Sequence, residues 1–315
     1  MNILRQINII IFLFVLLLFN SCSGLGLKCI KTEKLENIYF NKNSKYTKLL
    51  KNNVHYRDDG NKNKPALFLL HGLVSALQTW DGWVDYLQKD FRIVRLDLPG
   101  FGLSGPTHDK NYSKKIWIDT IDNLAKKLEI DSFSIAGNSL GGYAAWNYAI
   151  TYPDKVEKLI LIDPVGYAQK MPFTIWLFSL PFFSDMAKFT APRFIFEYNV
   201  RQVYGDINKV TKKTIDLYYD MALREGAICA YVTIFKLLRK KANDESISYG
   251  INNIKCPTLI MWGNKDAWVP IEHLKKWRKA VKNSSIRIYD GVGHIPMEEI
   301  PEQTAQDAKK FLLKN

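Results

Sequence analysis

Ten consecutive residues constrain this chain more than any others: Ser134-Ile135-Ala136-Gly137-Asn138-Ser139-Leu140-Gly141-Gly142-Tyr143. An apolar run of strand formers enters, glycines crowd a serine, and Ala144, Ala145, Trp146 and Tyr148 leave with the composition of a helix. Gly137, Gly141 and Gly142 carry no Cβ, so a strand and a helix can meet there at a cramped angle. Such a turn lifts the Ser139 hydroxyl above a sheet edge. It also aims the first N–H groups of the helix at any negative charge formed beside that hydroxyl. The string alone fits an ordinary Gly/Ser turn equally well, so its meaning depends on its surroundings.

Those surroundings alternate between strand and helix. Asn53 to Arg57 reads as a strand and Asp58-Asp59-Gly60-Asn61 as a turn, which implies a hairpin entering a sheet. Ala66 to Leu70 is a continuous apolar run of the length of a strand buried on both faces, and it exits through His71-Gly72-Leu73. Gln78 to Leu87 predicts a helix and Phe91 to Leu96 a strand closed by Asp97-Leu98-Pro99-Gly100-Phe101-Gly102. Helical spacing follows over Ile116 to Leu128, and Val156 to Ile162 is a strand ending at Asp163-Pro164. After the break described next, Pro257 to Trp262 predicts a strand, Ile271 to Val281 a helix, Ser285 to Tyr289 a strand and Gln303 to Leu313 a closing helix. The order predicts an α/β chain with a mostly parallel, doubly wound sheet, whose sites lie at the carboxyl ends of the strands.

Between residues 165 and 250 the alternation stops. Phe173, Trp176, Phe178, Phe182 and Phe183 crowd a stretch broken by Pro172 and Pro181, and helix-like runs continue to Lys241. This predicts a helical cap inserted on a core made of residues 53–164 and 251–315, its aromatics walling a pocket above Ser139 or simply packing the insertion down.

Residues 1–21 read as a targeting segment. Arg5 precedes eleven residues, 9 to 19, without a polar side chain, which is short for a hydrocarbon core of roughly 30 Å and typical of a signal-peptide apolar region. Phe19-Asn20-Ser21-Cys22 resembles, loosely, the cleavage box of bacterial lipoproteins, which would make Cys22 the lipidated first residue of an exported, membrane-anchored protein of the cell envelope. Cleavage nearby, or a retained anchor, fits the same residues. Residues 22–52 then read as a polar tether. The other cysteines, Cys29, Cys229 and Cys256, show no metal or disulfide spacing, and Cys229 and Cys256 are expected to be buried thiols. The net charge of +13 is scattered, with no compact basic stripe and no nucleic-acid motif. An anionic membrane surface suits it better than a nucleic acid, and biased base composition in the gene would give the same excess.

Ser139, Asp266 and His294 each follow a predicted strand, in the chain order serine, acid, histidine. Asp266 stands in Gly263-Asn264-Lys265-Asp266-Ala267-Trp268-Val269-Pro270 and His294 in Gly291-Val292-Gly293-His294. A serine hydroxyl becomes nucleophilic when an imidazole takes its proton and a carboxylate fixes that imidazole. The N–H groups of Leu73 and Leu140 are placed to receive an oxyanion. Asp163 is the other candidate acid, with a less favourable local pattern. Asp97 reads as a loop-ordering carboxylate, His71 as part of a tight strand exit, and His55, His108 and His273 as surface residues.

With His71-Gly72-Leu73, the run from Asp97 to Ser104, the Ser139 turn, Trp262 to Asp266 with Val269-Pro270, and Gly293-His294 followed by Pro296 and Glu299, the chain resembles the α/β-hydrolase superfamily over roughly residues 53–313. The resemblance implies a serine hydrolase with no cofactor and no metal, acting on a small ester or lipid substrate. Haloalkane dehalogenases and epoxide hydrolases of that fold use an aspartate where Ser139 stands. What the resemblance leaves open is an esterase or monoacylglycerol-lipase-like enzyme working through an acyl-enzyme, a C–C hydrolase drawing on Arg193 and Arg201, or a non-catalytic binding protein.

Overall fold

The computed structural model describes Gly26 and residues 29–314, and the segment read as a signal, with Cys22, lies outside the described residues. Among the described residues the strands form one eight-stranded sheet in the order β1-β2-β4-β3-β5-β6-β7-β8. Its members are β1 (Ser44–Leu49), β2 (Asn52–Asp59), β3 (Ala66–Leu70), β4 (Arg92–Leu96), β5 (Phe133–Asn138), β6 (Val156–Ile162), β7 (Thr258–Gly263) and β8 (Ser284–Tyr289). The β1–β2 and β2–β4 pairs are antiparallel and all others parallel. β3, β4, β5 and β7 are buried at every position, as strands covered on both faces must be; β3 and most of β7 are apolar runs, whereas β4 buries Arg92 and Arg95 against the aspartates of β2.

Helices cover both faces: α1 (Thr32–Tyr39), α2 (Asp81–Leu87), α3 (Lys114–Lys127), α4 (Leu140–Thr151), α5 (Phe173–Ser179), α6 (Pro181–Phe189), α7 (Arg193–Val203), α8 (Lys212–Leu223), α9 (Ala227–Lys241), α10 (His273–Ala280), α11 (Pro296–Glu299) and α12 (Pro301–Leu313). α5 to α9 follow one another between β6 and β7 with no intervening strand. Phe68, Trp117, Phe133, Trp146 and Tyr148 fill the core on one side of the sheet; Trp80, Trp83, Leu69 and Met261 fill it on the other. The strand order turns back on itself between β3 and β5, so the loops leaving these two strands diverge and a crevice opens at their carboxyl ends.

Several expectations need correction. Residues read as tether form α1 and β1, and β1 pairs along its whole length with β2. Tyr46 and Leu49 turn apolar surface inward here, but six residues are too few for the pattern to stand out from the lysines around them. Asp58 and Asp59 belong to β2 rather than to a turn, because Arg92 makes two 2.9 Å hydrogen bonds to Asp58 and Arg95 pairs with Asp59 across the strands. His55 is fully buried rather than on the surface, its Nδ1 2.7 Å from Asp97 Oδ2 and its ring stacked on Phe40. His273 is buried too, edge-on to Tyr167, whereas His108 is exposed as expected. Cys229 is exposed, because it falls on the outer face of α9, and Cys256 is half-buried with burial pushing its thiol up to about 11.

Candidate active site

Ser139 sits in the gap between β5 and α4 with φ 54° and ψ −115°, a conformation that L residues rarely adopt. Hydrogen bonds on both sides hold it there: its N–H donates to Ile162 O at 3.0 Å, and its carbonyl accepts from Tyr143 N–H at 3.0 Å and Val165 N–H at 3.2 Å. The glycines explain the turn. A Cβ on Gly137 would collide with the Gly141 backbone, and one on Gly141 with the carbonyl of Leu70. Ser139 itself is buried.

Asp266 and His294 come from the loops after β7 and β8. His294 Nδ1 lies 2.7 Å from Asp266 Oδ2, and both side chains are almost wholly withdrawn from solvent. The other carboxylate oxygen accepts from the N–H groups of Trp268 at 2.7 Å and Val269 at 3.0 Å, which orients the acid. The Trp268 ring stacks on the imidazole at 5.8 Å. Asn138 Nδ2 donates to His294 O at 2.9 Å, tying the histidine loop to the serine turn. Ser139 and His294 face one cleft together with Leu73. No hydrogen bond joins the hydroxyl to the ring among the described residues, a link that commonly tightens only around substrate.

Leu73 follows Gly72, whose Cα is pressed against Asn138 and Ser139: a Cβ there would lie 2.8 Å from Asn138 Oδ1 and 3.3 Å from Ser139 Cβ. Leu140 is the first residue of α4, where N–H groups have no intrahelical acceptor. The His71 ring is structural. Its Nε2 accepts from Leu98 N–H at 3.0 Å and its Nδ1 donates to Gly72 O at 2.8 Å, and full burial lowers its pKa, so the ring is neutral. Asp97 lies behind it. Burial opposes its charge, but hydrogen bonds from His55, Leu77 N–H and Leu103 N–H outweigh burial and hold it below the usual carboxylate range, as a loop-ordering acid should be.

Asp163, the alternative acid, is also in the site, but behind Asp266. It is fully buried at φ 45°, Oδ1 accepts from Gly263 N–H at 3.0 Å, and Oδ2 has no other partner. Burial, then the charge of Asp266, pushes its pKa well above the ordinary value. A neutral Asp163 can donate to Asp266, while the carboxylate of Asp266 serves His294. Donor atoms of Asp163, Asp266 and His294 all lie within 4.8 Å of one another. The 2.7 Å contact between Asp266 and His294 is nonetheless a hydrogen bond, since two ligands on one small divalent cation at about 2.1 Å each stand about 3 Å apart or more.

Sequence reasoning missed Glu298 and the reach of Glu299. Glu298 is half-buried and accepts from Thr79 Oγ1, Tyr204 OH and Tyr218 OH; removal of its carboxylate from solvent raises its pKa. Glu299 accepts from Gly205, Asp206 and Gly293 N–H, each at 2.9 Å, and so pins the cap to the histidine loop. Two acids four and five residues after a histidine are a visible signal, but apart from Gly293 their partners are some 80 to 220 positions away.

Two cavities meet at Ser139. One, with about 980 Å³ of empty space, is lined by Phe178, Ile195, Phe196, Val200, Ile228 and Phe235 of the cap. The other, about 1550 Å³, runs past Tyr112, Trp117, Tyr143 and Tyr167 to Lys110 and Lys241. Of the five aromatics expected to wall the pocket, only Phe178 does so. Arg193 pairs with Asp216 and lies over Tyr219, Arg201 pairs with Glu197, and neither reaches either cavity.

A family model described as the alpha/beta hydrolase fold matches residues 65–301. Epoxide hydrolase 4 of Mus musculus is 26% identical over 252 residues, 73% of this chain and 67% of that one. The 2-hydroxy-6-oxo-2,4-heptadienoate hydrolase of Pseudomonas putida is 24% identical over 253 residues, 78% of this chain and 86% of that one. Among solved structures, a bacterial membrane phospholipase A superposes with a TM-score of 0.70 at 27% identity, covering 85% of each chain.

Proposed function

The chain belongs to the α/β hydrolase fold family, and on that premise we propose that it is a membrane-attached serine hydrolase that cleaves carboxylic esters of apolar acyl groups through an acyl-enzyme. One observation carries the reading: a buried Asp266–His294 hydrogen bond of 2.7 Å opens onto the cleft in which Ser139 is held in a strained turn. Catalysis would run as follows. His294 Nε2 takes the Ser139 proton as the hydroxyl oxygen bonds to the ester carbonyl carbon, and the Leu73 and Leu140 N–H groups receive the oxyanion, worth about 3 kcal/mol per donor. The tetrahedral intermediate expels the alcohol, which takes the proton from His294. Water, deprotonated by the same ring, then releases the acid and restores Ser139.

The apolar cavity beside Ser139 supports an acyl chain as the acylating part. Attachment to a membrane rests on the N-terminal sequence and on the proposed lipidation of Cys22. Epoxide opening fits poorly: a serine oxygen would form a stable ether, whereas turnover needs a carboxylate whose ester can be hydrolysed. C–C cleavage of an acidic diketone is also disfavoured, since no arginine lines either cavity among the described residues.

The test is covalent. A fluorophosphonate should label the protein at one site, and nitrophenyl esters should give a burst of one equivalent before the steady state. Both should vanish in Ser139→Ala, with kcat down by about 10⁵ or more. Labelling that persists in that variant would overturn the assignment.

A further inference from the structure

We propose that the cap is the membrane-facing side of the molecule, docking on an anionic lipid bilayer through the outer faces of α5, α6 and α7. The inference builds on the reading above, to which it adds an orientation and a surface. Phe173 is 65% exposed, Phe182 73%, Phe189 77% and Phe194 71%, with Trp176, Met186 and Tyr198 exposed beside them. They recur as helix faces: Phe182, Met186 and Phe189 at i, i+4, i+7; Phe173 and Trp176 at i, i+3, their rings 6.0 Å apart; Phe194 and Tyr198 at i, i+4. The opposite faces of the same helices line the cavity at Ser139, through Ile175, Phe178, Ala187 and Ile195. Helices apolar on both faces need something apolar outside them as well as inside. Exposed aromatics gathered on the outer faces of successive helices mark a docking site.

Two further observations select a bilayer as the occupant. Charge complementarity is the first. α9 packs against α5 and α6, ends in Arg239-Lys240-Lys241 and carries Lys236, whereas Lys188 on α6 is paired with Asp185 at 2.6 Å, so the positive excess beside the patch comes from α9. Residues 165–250 hold twelve Lys and Arg against eight Asp and Glu. Phenylalanine, tryptophan and tyrosine ringed by cations suit the headgroup region of an anionic membrane. The second observation is where Gly26 and Ile30 sit. Gly26 is packed so closely on the Ala191 backbone, between α6 and α7, that a Cβ there would collide with it, and Ile30 hydrogen-bonds to Leu223 and Glu225 of the cap. Cys22 is four residues from Gly26, a span of about 14 Å at full extension. An anchor at that position delivers the cap, rather than the far side of the sheet, to the lipid.

The experiment uses the full chain reconstituted on vesicles of phosphatidylcholine with phosphatidylglycerol, some carrying brominated acyl chains. Bromine should quench the tryptophan emission, and Trp176→Phe should remove at least half of that quenching. Phe182→Ser/Phe189→Ser/Phe194→Ser should abolish most of it, and should lower the rate on a long-chain ester dispersed in the vesicles at least tenfold while leaving the rate on a soluble short-chain ester within twofold. None of the three lines either cavity, so the soluble rate also reports that the variant is folded. Unquenched emission with unchanged vesicle kinetics would overturn the proposal. So would a triple variant that changes oligomeric state, meaning that a second copy covers the face, or one whose cap is protected by the chain's own first residues. Absence of turnover on every ester would sink the esterase reading alone, because the quenching needs no turnover.

Discussion

At the scale of single residues, the serine, the acid and the histidine are legible because each stands in a turn whose glycines or proline have no other purpose: Ser139 among Gly137, Gly141 and Gly142, His294 after Gly293, Asp266 before Val269-Pro270. Asp163 shows what such reading misses. The sequence offers two acids as competitors for one role, whereas the fold stacks them, Asp266 hydrogen-bonded to His294 and Asp163 behind it with burial pushing its pKa well above the ordinary value. Asp163→Asn keeps a donor toward Asp266 and should hold kcat within about threefold, while Asp163→Ala removes it and should lower kcat about tenfold. Stability gives an independent check. Folded Asp163 keeps its proton above the point near pH 4 where the unfolded chain loses it, so within that window unfolding releases a proton and rising pH destabilises the fold. The urea midpoint of the wild type should therefore fall relative to Asp163→Asn as pH rises from about 4, until the elevated pKa is passed; a difference that shrinks with pH contradicts a neutral Asp163. His55 was unreadable for the opposite reason. Its partner Asp97 is 42 positions away, and nothing local marks a buried imidazole in a polar strand.

At the scale of elements, β3, β7 and the end of β6 were legible because burial on both faces makes them almost wholly apolar, whereas the antiparallel edge was not. β1 and β2 are joined by Leu50 and Lys51, both at positive φ (49° and 68°), in a two-residue connection of the kind that normally uses Asn-Gly. A leucine and a lysine carry no turn signal, so the hairpin cannot be seen in the sequence. The same mismatch is a liability in the fold. Leu50→Asn/Lys51→Gly should raise stability by about 1 kcal/mol or more by relieving the left-handed strain, measured as a higher denaturant midpoint with an unchanged slope. The effect on ester turnover should be nil, since the turn lies at the edge of the sheet remote from Ser139 in strand order.

At the scale of the molecule, the insertion of a cap was legible as an interruption of strand–helix alternation, but its fastening was not, because two of the three backbone N–H groups that Glu299 holds belong to Gly205 and Asp206, more than 90 positions away. Glu299→Ala would leave those donors buried and unpaired, and should cost about 3 kcal/mol or more of stability. It should also depress kcat beyond what stability explains, since His294 N–H is bonded to Val203 O in the same seam. Glu299→Gln, which keeps one acceptor oxygen, should fall between the two. Finally, if Ser139 forms the acyl-enzyme proposed above, its place where two hollows join has its own consequence. The half of the substrate that departs first and the half that stays on the serine need not share an exit. Water can follow the departing piece down the corridor it has vacated while the greasy chain stays seated in the other, and the two half-reactions succeed each other without the site having to empty between them.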